Sequence, residues 1–251
     1  APKLCPVTLE LGGKNPNIIM SDADLDIAIP GVIDGMRYTR QGQACTAGSR
    51  VYIHEKIYDK VLNGAVEKLS KLKMGNALDE KSDIGAIISE EQLKRTLYYM
   101  DIAKKNSSTK ILHGGNQSKG GDYKDGFYYE PTLLSGLPVS SPVCQEEVFG
   151  PVACAIPFKS FDEVMKSAND TQFGLSAVLW TKDLSRALQF VDEIEAGFVQ
   201  VNQCVAPRAN VSYGGIKMSG LGKEYAFDSM MNHFTQSKTI LINRGKSNLD
   251  V

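Results

Sequence analysis

Four glycine-bearing segments hold the residues of this sequence that could do chemistry. They are Leu9-Glu10-Leu11-Gly12-Gly13-Lys14, Gly42-Gln43-Ala44-Cys45-Thr46-Ala47-Gly48-Ser49-Arg50, Glu146-Glu147-Val148-Phe149-Gly150-Pro151 and Tyr213-Gly214-Gly215-Ile216-Lys217-Met218-Ser219-Gly220-Leu221-Gly222. In the second, the small neighbours Gly42, Ala44, Ala47 and Gly48 leave the Cys45 sulfur uncrowded, so a substrate carbon can approach it. A free thiol ionises near about 8.5 and needs a base or a local positive potential to act as a nucleophile at neutral pH. No histidine stands near Cys45 in sequence, and the candidate base is a carboxylate on another loop, such as Glu10. Taken singly, each segment also reads as ordinary structure: a buried small hydrophobe at Cys45, a solvated strand end at Glu10, turns at the glycines.

The elements around these segments follow from hydrophobic patterning. Ser49 to His54 reads as a strand, and Ile57, Val61, Leu62, Ala65, Leu69 and Leu72 recur at helical spacing. Ser89 with Gln92, and Ser160 with Glu163, fit capping boxes that open helices. The clearest unit runs from Val152 to Asn202: strand Val152–Phe158, helix Phe161–Ala168, strand Leu175–Thr181, helix Leu184–Ile194, strand Phe198–Asn202. These strands are continuously apolar, so both faces should be covered. The expected fold is α/β, a mostly parallel twisted sheet with helices on both faces and right-handed crossovers. Lys110 to Gly126 reads as a surface loop after a short strand at Ile111–Leu112, and Thr239–Asn243 as a terminal strand that pairs elsewhere, in another subunit.

Composition removes several classes. The chain has 251 residues, a formal net charge of −1 and 42% hydrophobic residues. That charge offers no basic field for a phosphate backbone, which argues against nucleic acid. The sequence has no apolar run of the roughly 18 residues a membrane span needs, and no secretory signal pattern. Five cysteines (Cys5, Cys45, Cys144, Cys154, Cys204) form no CxxC pair, and His54, His113 and His233 stand far apart. The expectation is therefore no metal site, no disulfide framework and a reducing, cytoplasmic setting.

In this order, the four segments resemble the catalytic half of an aldehyde dehydrogenase. Glu-Leu-Gly-Gly-Lys is followed 35 residues after Glu10 by the cysteine of Gly-Gln-x-Cys-x-Ala-Gly-Ser-Arg; Glu-Glu-Val-Phe-Gly-Pro and the late Gly-Gly-x-Lys-x-Ser-Gly agree. The resemblance runs from about Val7 to about Asn243. It implies Cys45 as a nucleophile that adds to an aldehyde, passes through a tetrahedral alkoxide and becomes a thioester released by water. It implies Glu10 as general base, and the Cys45 backbone amide as an oxyanion donor. It also implies NAD (or NADP) as cofactor, with Glu147 on the nicotinamide ribose hydroxyls and Phe149 and Leu11 beside it. Glu146 is expected to point elsewhere. Ala44, Thr46 and the loop holding Val205 and Arg208 would line the substrate, although Arg208 reads equally well as a solvent-facing arginine.

A complete member of the family carries a cofactor-binding half before this point. Here Gly220-Leu221-Gly222 does not continue into a G-x-G-x-x-G, since Tyr225 stands where the third glycine would fall, and the chain opens Ala1-Pro2 without methionine. The expected division is a catalytic domain over 1–235 and a C-terminal oligomerisation strand and tail over 236–251. The missing half is the implied partner, alongside an aldehyde and, at full length, further copies. The fragment alone is then expected to have negligible turnover. Two other functions stay open: a cofactor-free thiol esterase using Cys45 and Glu10, and a non-enzymatic assembly module.

Overall fold

The computed structural model describes Leu4 and residues 6–243. In chain order the strands are β1 (Leu9–Glu10), β2 (Pro16–Ile19), β3 (Arg50–His54), β4 (Lys110–His113), β5 (Thr132–Ser135), β6 (Val152–Phe158), β7 (Phe173–Gly174), β8 (Ser176–Trp180), β9 (Phe198–Val201), β10 (Ile216–Lys217) and β11 (Gly220–Leu221). The helices are α1 (Leu25–Met36), α2 (Tyr58–Leu69), α3 (Glu90–Lys105), α4 (Pro142–Gln145), α5 (Phe161–Asn169), α6 (Leu184–Glu193) and α7 (Phe227–Phe234).

Seven strands make the central sheet, in the order β4-β5-β6-β3-β2-β8-β9. Every pairing is parallel except that of the edge strand β4 with β5. Side chains alternate across the sheet, and each face has its own apolar cluster. Ile18, Tyr52, Leu134 and Cys154 pack with α3, α4, α5 and α6 residues such as Met100, Val143, Val164 and Phe190. Ile19, Val51, Ile53, Leu133 and Ala155 pack with Val32, Met36, Val61 and Leu69 of α1 and α2. Helices on both faces of a mostly parallel sheet are the expected α/β arrangement.

The unit from β6 to β9 forms as its apolar runs predict, but β6 and β8 are not neighbours: β3 and β2 lie between them. The chain leaving β6 through α5 therefore crosses over two strands that come from far earlier in the sequence. β2 begins with Pro16, a position a strand tolerates because the first residue can do without its ladder donor. Against it, α1 packs close enough that a Cβ on Gly31 would fall on the Trp180 ring, and Trp180 donates its indole N–H to Asn17 at 2.7 Å.

Both predicted helix caps form, with altered second halves. Ser89 Oγ accepts from Gln92 N, and Ser160 Oγ accepts from Glu163 N, each at 3.2 Å. The Gln92 side chain does not return to its own cap, however, and the Glu163 carboxylate accepts from Lys159 N, one residue before the cap.

Thr239–Asn243, expected as a strand, takes no regular element, and Ile240, Leu241 and Ile242 are exposed. A strand exists only through its ladder partner, and among the described residues no sheet extends to this segment. The rest of the expected tail, residues 244–251, lies outside the described residues.

Candidate active site

Cys45 sits in a turn between α1 and β3, on a loop whose shape is set from three directions. Gly48 N donates to Gly35 O near the end of α1 at 2.9 Å. Gly42 adopts φ +64°, and a Cβ there would collide with the Gly150 carbonyl. Asn15, 3% exposed, donates to both Cys45 O (2.7 Å) and Ala47 O (2.9 Å) and accepts from Ser176 N (2.9 Å). One buried amide thus ties the cysteine loop to β8 through the stretch leading into β2. The sulfur itself is half-buried. The Cys45 backbone N–H donates to no group among the described residues, so a donor stands beside the sulfur with nothing bound to it.

Glu147 meets the same loop from the other side. Its Oε1 accepts from Gly13 N at 3.0 Å. A Cβ on Gly12 would lie 2.5 Å from Oε2, and one on Gly13 would fall on the Cys45 carbonyl oxygen. The glycine pair therefore lets carboxylate and cysteine loop close on one strip of backbone. Burial raises the Glu147 pKa, while the Gly13 amide, Arg95 and Lys14 pull it back. Main-chain bonds hold the following turn: Arg95 donates to Glu147 O, and Gln92 Nε2 donates to Val148 O (3.0 Å) and Phe149 O (2.6 Å). Phe149 is held at φ +53°, a conformation uncommon for a non-glycine residue. Glu146 turns away and accepts from Tyr99 Oη at 2.8 Å. Ala44, Ala47, Glu147 and Phe149 line one narrow crevice.

Glu10 approaches from a separate ribbon. β1 pairs antiparallel with β11, placing Glu10 opposite Gly220, and Leu11 N donates to Ser219 O at 3.0 Å. The Glu10 carboxylate leans on Gly214, where a Cβ would lie 2.7 Å from Oε1. Partial burial raises its pKa, Glu224 raises it further, and Lys223 opposes both. Gly214 follows Tyr213, whose hydroxyl lies 3.5 Å from Cys45 Sγ. Sulfur and carboxylate thus border adjacent residues, the sulfur at the Tyr213 hydroxyl and the carboxylate at the Gly214 backbone.

The remaining expected residues divide. Ala44 and Thr46 are half-buried beside Cys45, and Leu11 is exposed next to Glu10. Val205 and Arg208 line a different groove of about 210 Å³ with Phe198, Gln200 and Val211; Arg208 is exposed, and neither residue joins the crevice beside Glu147. The sequence reading missed Asn15, Arg50, Gln92, Arg95 and the side chain of Tyr213. Arg50 lay inside a quoted motif and Asn15 directly after one, and their polar character within apolar surroundings was the available signal.

Arg50 shows how the first segment is anchored. It is 0% exposed and donates to Lys14 O (2.9 Å), Tyr52 Oη (3.2 Å), Ser167 O (3.2 Å) and Ala168 O (2.8 Å). The last two carbonyls belong to the final turn of α5, where the helix dipole favours a cation. Among the described residues no group of three or more His, Cys, Asp or Glu could hold a metal, and no helix is long and apolar enough to cross a membrane.

Fold and side-chain set together define an α/β domain built around a half-buried thiol with two carboxylates drawn in beside it. Residues 1–240 match the aldehyde dehydrogenase family. Aldehyde dehydrogenases of Rhodospirillum rubrum and Deinococcus radiodurans are 40% and 41% identical over 95% and 96% of the chain. An NAD+ complex of aldehyde dehydrogenase from Bacillus cereus superposes with TM-score 0.86 at 36% identity, covering 91% of this chain and 45% of that one. Betaine aldehyde dehydrogenase from Staphylococcus aureus, with NAD+ and a BME-modified cysteine, gives 0.89 at 34%, covering 98% and 49%. The chain belongs to the aldehyde dehydrogenase family. It spans about half the length of the curated relatives it matches, 48% and 47% for the two bacterial enzymes.

Proposed function

We propose that this chain is the catalytic portion of an NAD(P)-dependent aldehyde dehydrogenase that converts an aldehyde to a carboxylic acid. Cys45 is the nucleophile and Glu10 the general base. The observation that carries the reading is that the Cys45 sulfur and the Glu10 carboxylate border the adjacent residues Tyr213 and Gly214, while the Glu147 carboxylate closes on Gly13, which packs against the backbone of the cysteine loop.

The sulfur adds to the aldehyde carbon, forming an S–C bond and moving the carbonyl pair onto oxygen. The Cys45 amide, which donates to no other group among the described residues, is the proposed donor to that oxyanion. NAD(P)+, when bound, supplies the hydride acceptor. Glu147 fits its ribose: Oε1 is occupied by Gly13, Oε2 accepts no hydrogen bond among the described residues, and two adjacent hydroxyls need such an acceptor. Phe149 and Leu11 flank that position. On the resulting thioester, Glu10 takes a proton from water as the water oxygen attacks the acyl carbon, the C–S bond breaks, and acid and thiolate separate. A carboxyl whose pKa is raised is better matched to this task near neutrality. Ala44 and Thr46 border the acyl group, and Val205 and Arg208 shape a more distant part of the substrate. Free thiols at Cys45, Cys144, Cys154 and Cys204 fit a reducing cytoplasm. The exposed apolar run Ile240–Ile242 fits an oligomer contact over 236–251, outside the catalytic region 1–235.

An aryl ester tests the thiol chemistry without cofactor. The parent chain should show a burst of released phenol and an acyl mass on the Cys45 peptide, and Cys45→Ala should show neither; a full burst in Cys45→Ala overturns the reading. Assayed alone with several aldehydes and NAD+, the 251 residues should make negligible NADH, because Glu147 and Phe149 grip only the nicotinamide end.

A further inference from the structure

Tyr213 is placed to do more than pack. It is 7% exposed, and its ring is clamped edge-on between Phe198 (5.5 Å between centroids, 71°) and Tyr225 (5.6 Å, 76°). Its main chain is pinned by a reciprocal pair of bonds with Glu224, 3.0 and 2.7 Å. The hydroxyl is thereby held in one place, 3.5 Å from Cys45 Sγ, with no other hydrogen-bond partner among the described residues.

The charged groups around this point are two carboxylates and one ammonium. Glu10 comes from β1 and Glu224 from the segment after β11, and Glu224 makes Glu10 harder to ionise. The nearby cation, Lys223, is committed to the carbonyls of Gly214 and Gly215. Among the described residues no positive side chain is hydrogen-bonded to the sulfur. What faces it is a phenol that burial, reinforced by Cys45, Glu10 and Tyr225, keeps in its protonated form. A protonated hydroxyl can donate to a thiolate, whereas a neutral thiol is a weak partner, so the contact favours the charged nucleophile.

We infer that Tyr213 is a catalytic residue: its hydroxyl donates to the Cys45 sulfur and holds it as the thiolate, the role a histidinium fills in other thiol enzymes. The inference rests on Cys45 being the nucleophile and adds the group that activates it. It also assigns a division of labour, in which Tyr213 stabilises the attacking sulfur and Glu10 is left for the water.

Tyr213→Phe tests this in the chain as it stands, since it keeps the ring between Phe198 and Tyr225 and removes only the hydroxyl. The readout is the rate of Cys45 alkylation by iodoacetamide against pH, mapped to the Cys45 peptide by mass, with the thermal midpoint of both proteins recorded. A hydrogen bond to a charged group is worth enough to move such a profile by about one pH unit, or about tenfold in rate at neutral pH. We expect Tyr213→Phe to react about ten times more slowly at neutral pH, with the half-maximal rate displaced upward by about one unit and the alkaline plateau unchanged. A profile that superimposes on the parent's, or shifts downward, overturns the inference. The ester burst in Cys45→Ala separates the two failures. Persistence of that burst removes the nucleophile itself, whereas loss of the burst with an unmoved Tyr213→Phe profile removes only the role of Tyr213.

Discussion

The two sides of the candidate site are built in opposite ways. On one side, Cys45 and Glu147 stand on backbone locked into the sheet by buried groups: Asn15 reaches three partners, Arg50 four, and Gln92 two carbonyls. On the other side, Glu10 rides a ribbon of two two-residue strands, β1 and β11, in which Leu9, Glu10 and Leu221 are exposed, and the flanking Leu11 and Met218 are exposed too. The α7 helix beside it buries none of its residues. The contrast matches the proposed tasks. A nucleophile and a ribose acceptor must hold a fixed distance from a reacting carbon, whereas a base that acts on water gains from a mount that can shift. Few buried apolar contacts and short strands place the ribbon at the low end of local stability.

Four measurements would break or sharpen this contrast. Arg50→Ala should have the largest effect, a loss of about 4 kcal/mol in urea unfolding, because it leaves buried carbonyls of Lys14, Ser167 and Ala168 unpaired beside a cavity. A loss under about 1 kcal/mol would mean the sheet side is not anchored there. Asn15→Ala should cost about 2 kcal/mol and also slow acylation of Cys45, since it frees both Cys45 O and Ala47 O from the path to Ser176. Unchanged acylation would show that the cysteine loop holds its own shape.

A smaller, pH-dependent effect is expected at Glu147. Its folded pKa is raised above 4.5 by burial, so the folded chain binds that proton more tightly than the unfolded chain. Its stabilising contribution is complete below the ordinary carboxylate range and is lost as the pH climbs through the raised value. Glu147→Gln should therefore gain stability relative to the parent as the pH climbs from the ordinary carboxylate range through the raised value, read as the difference in thermal midpoint. A constant difference across that range would show that the Gly13 amide cancels the burial. The smallest effect belongs to the ribbon: Thr8→Ala, which loses one bond to Glu224 at 3.2 Å, should change stability by less than about 0.5 kcal/mol. A larger loss would mean the ribbon is more firmly held than its exposure indicates.

The difference between the sides also governs what could be read from residues alone. Strand β6, helix α5, strand β8, helix α6 and strand β9 appear within a residue or two of their expected limits, because continuous apolar runs and the Ser160 cap encode them locally. Strand β2 and helix α1 were not visible in advance. Pro16, Pro30, Gly31 and Gly35 look like breakers, and the fitness of the two glycines comes from close packing against Trp180 and Asn17 that no local pattern reports. Gln92 looked like the second half of a helix cap, and its actual partners are 56 and 57 residues away.

The sequence by itself named the proposed reactive set, Cys45 with Glu10 and Glu147, because the four segments in their order resemble the catalytic half of an aldehyde dehydrogenase. It also determined the α/β class, through apolar runs long enough to need cover on both faces. Only the tertiary structure decided which groups meet. It brought Tyr213 to the sulfur across 168 residues, set Val205 and Arg208 in a separate groove, and turned Glu146 away while Glu147 closed on Gly13. The physical reason is that a hydrogen bond depends on distance and direction in space, and those are fixed by how the sheet stacks its strands.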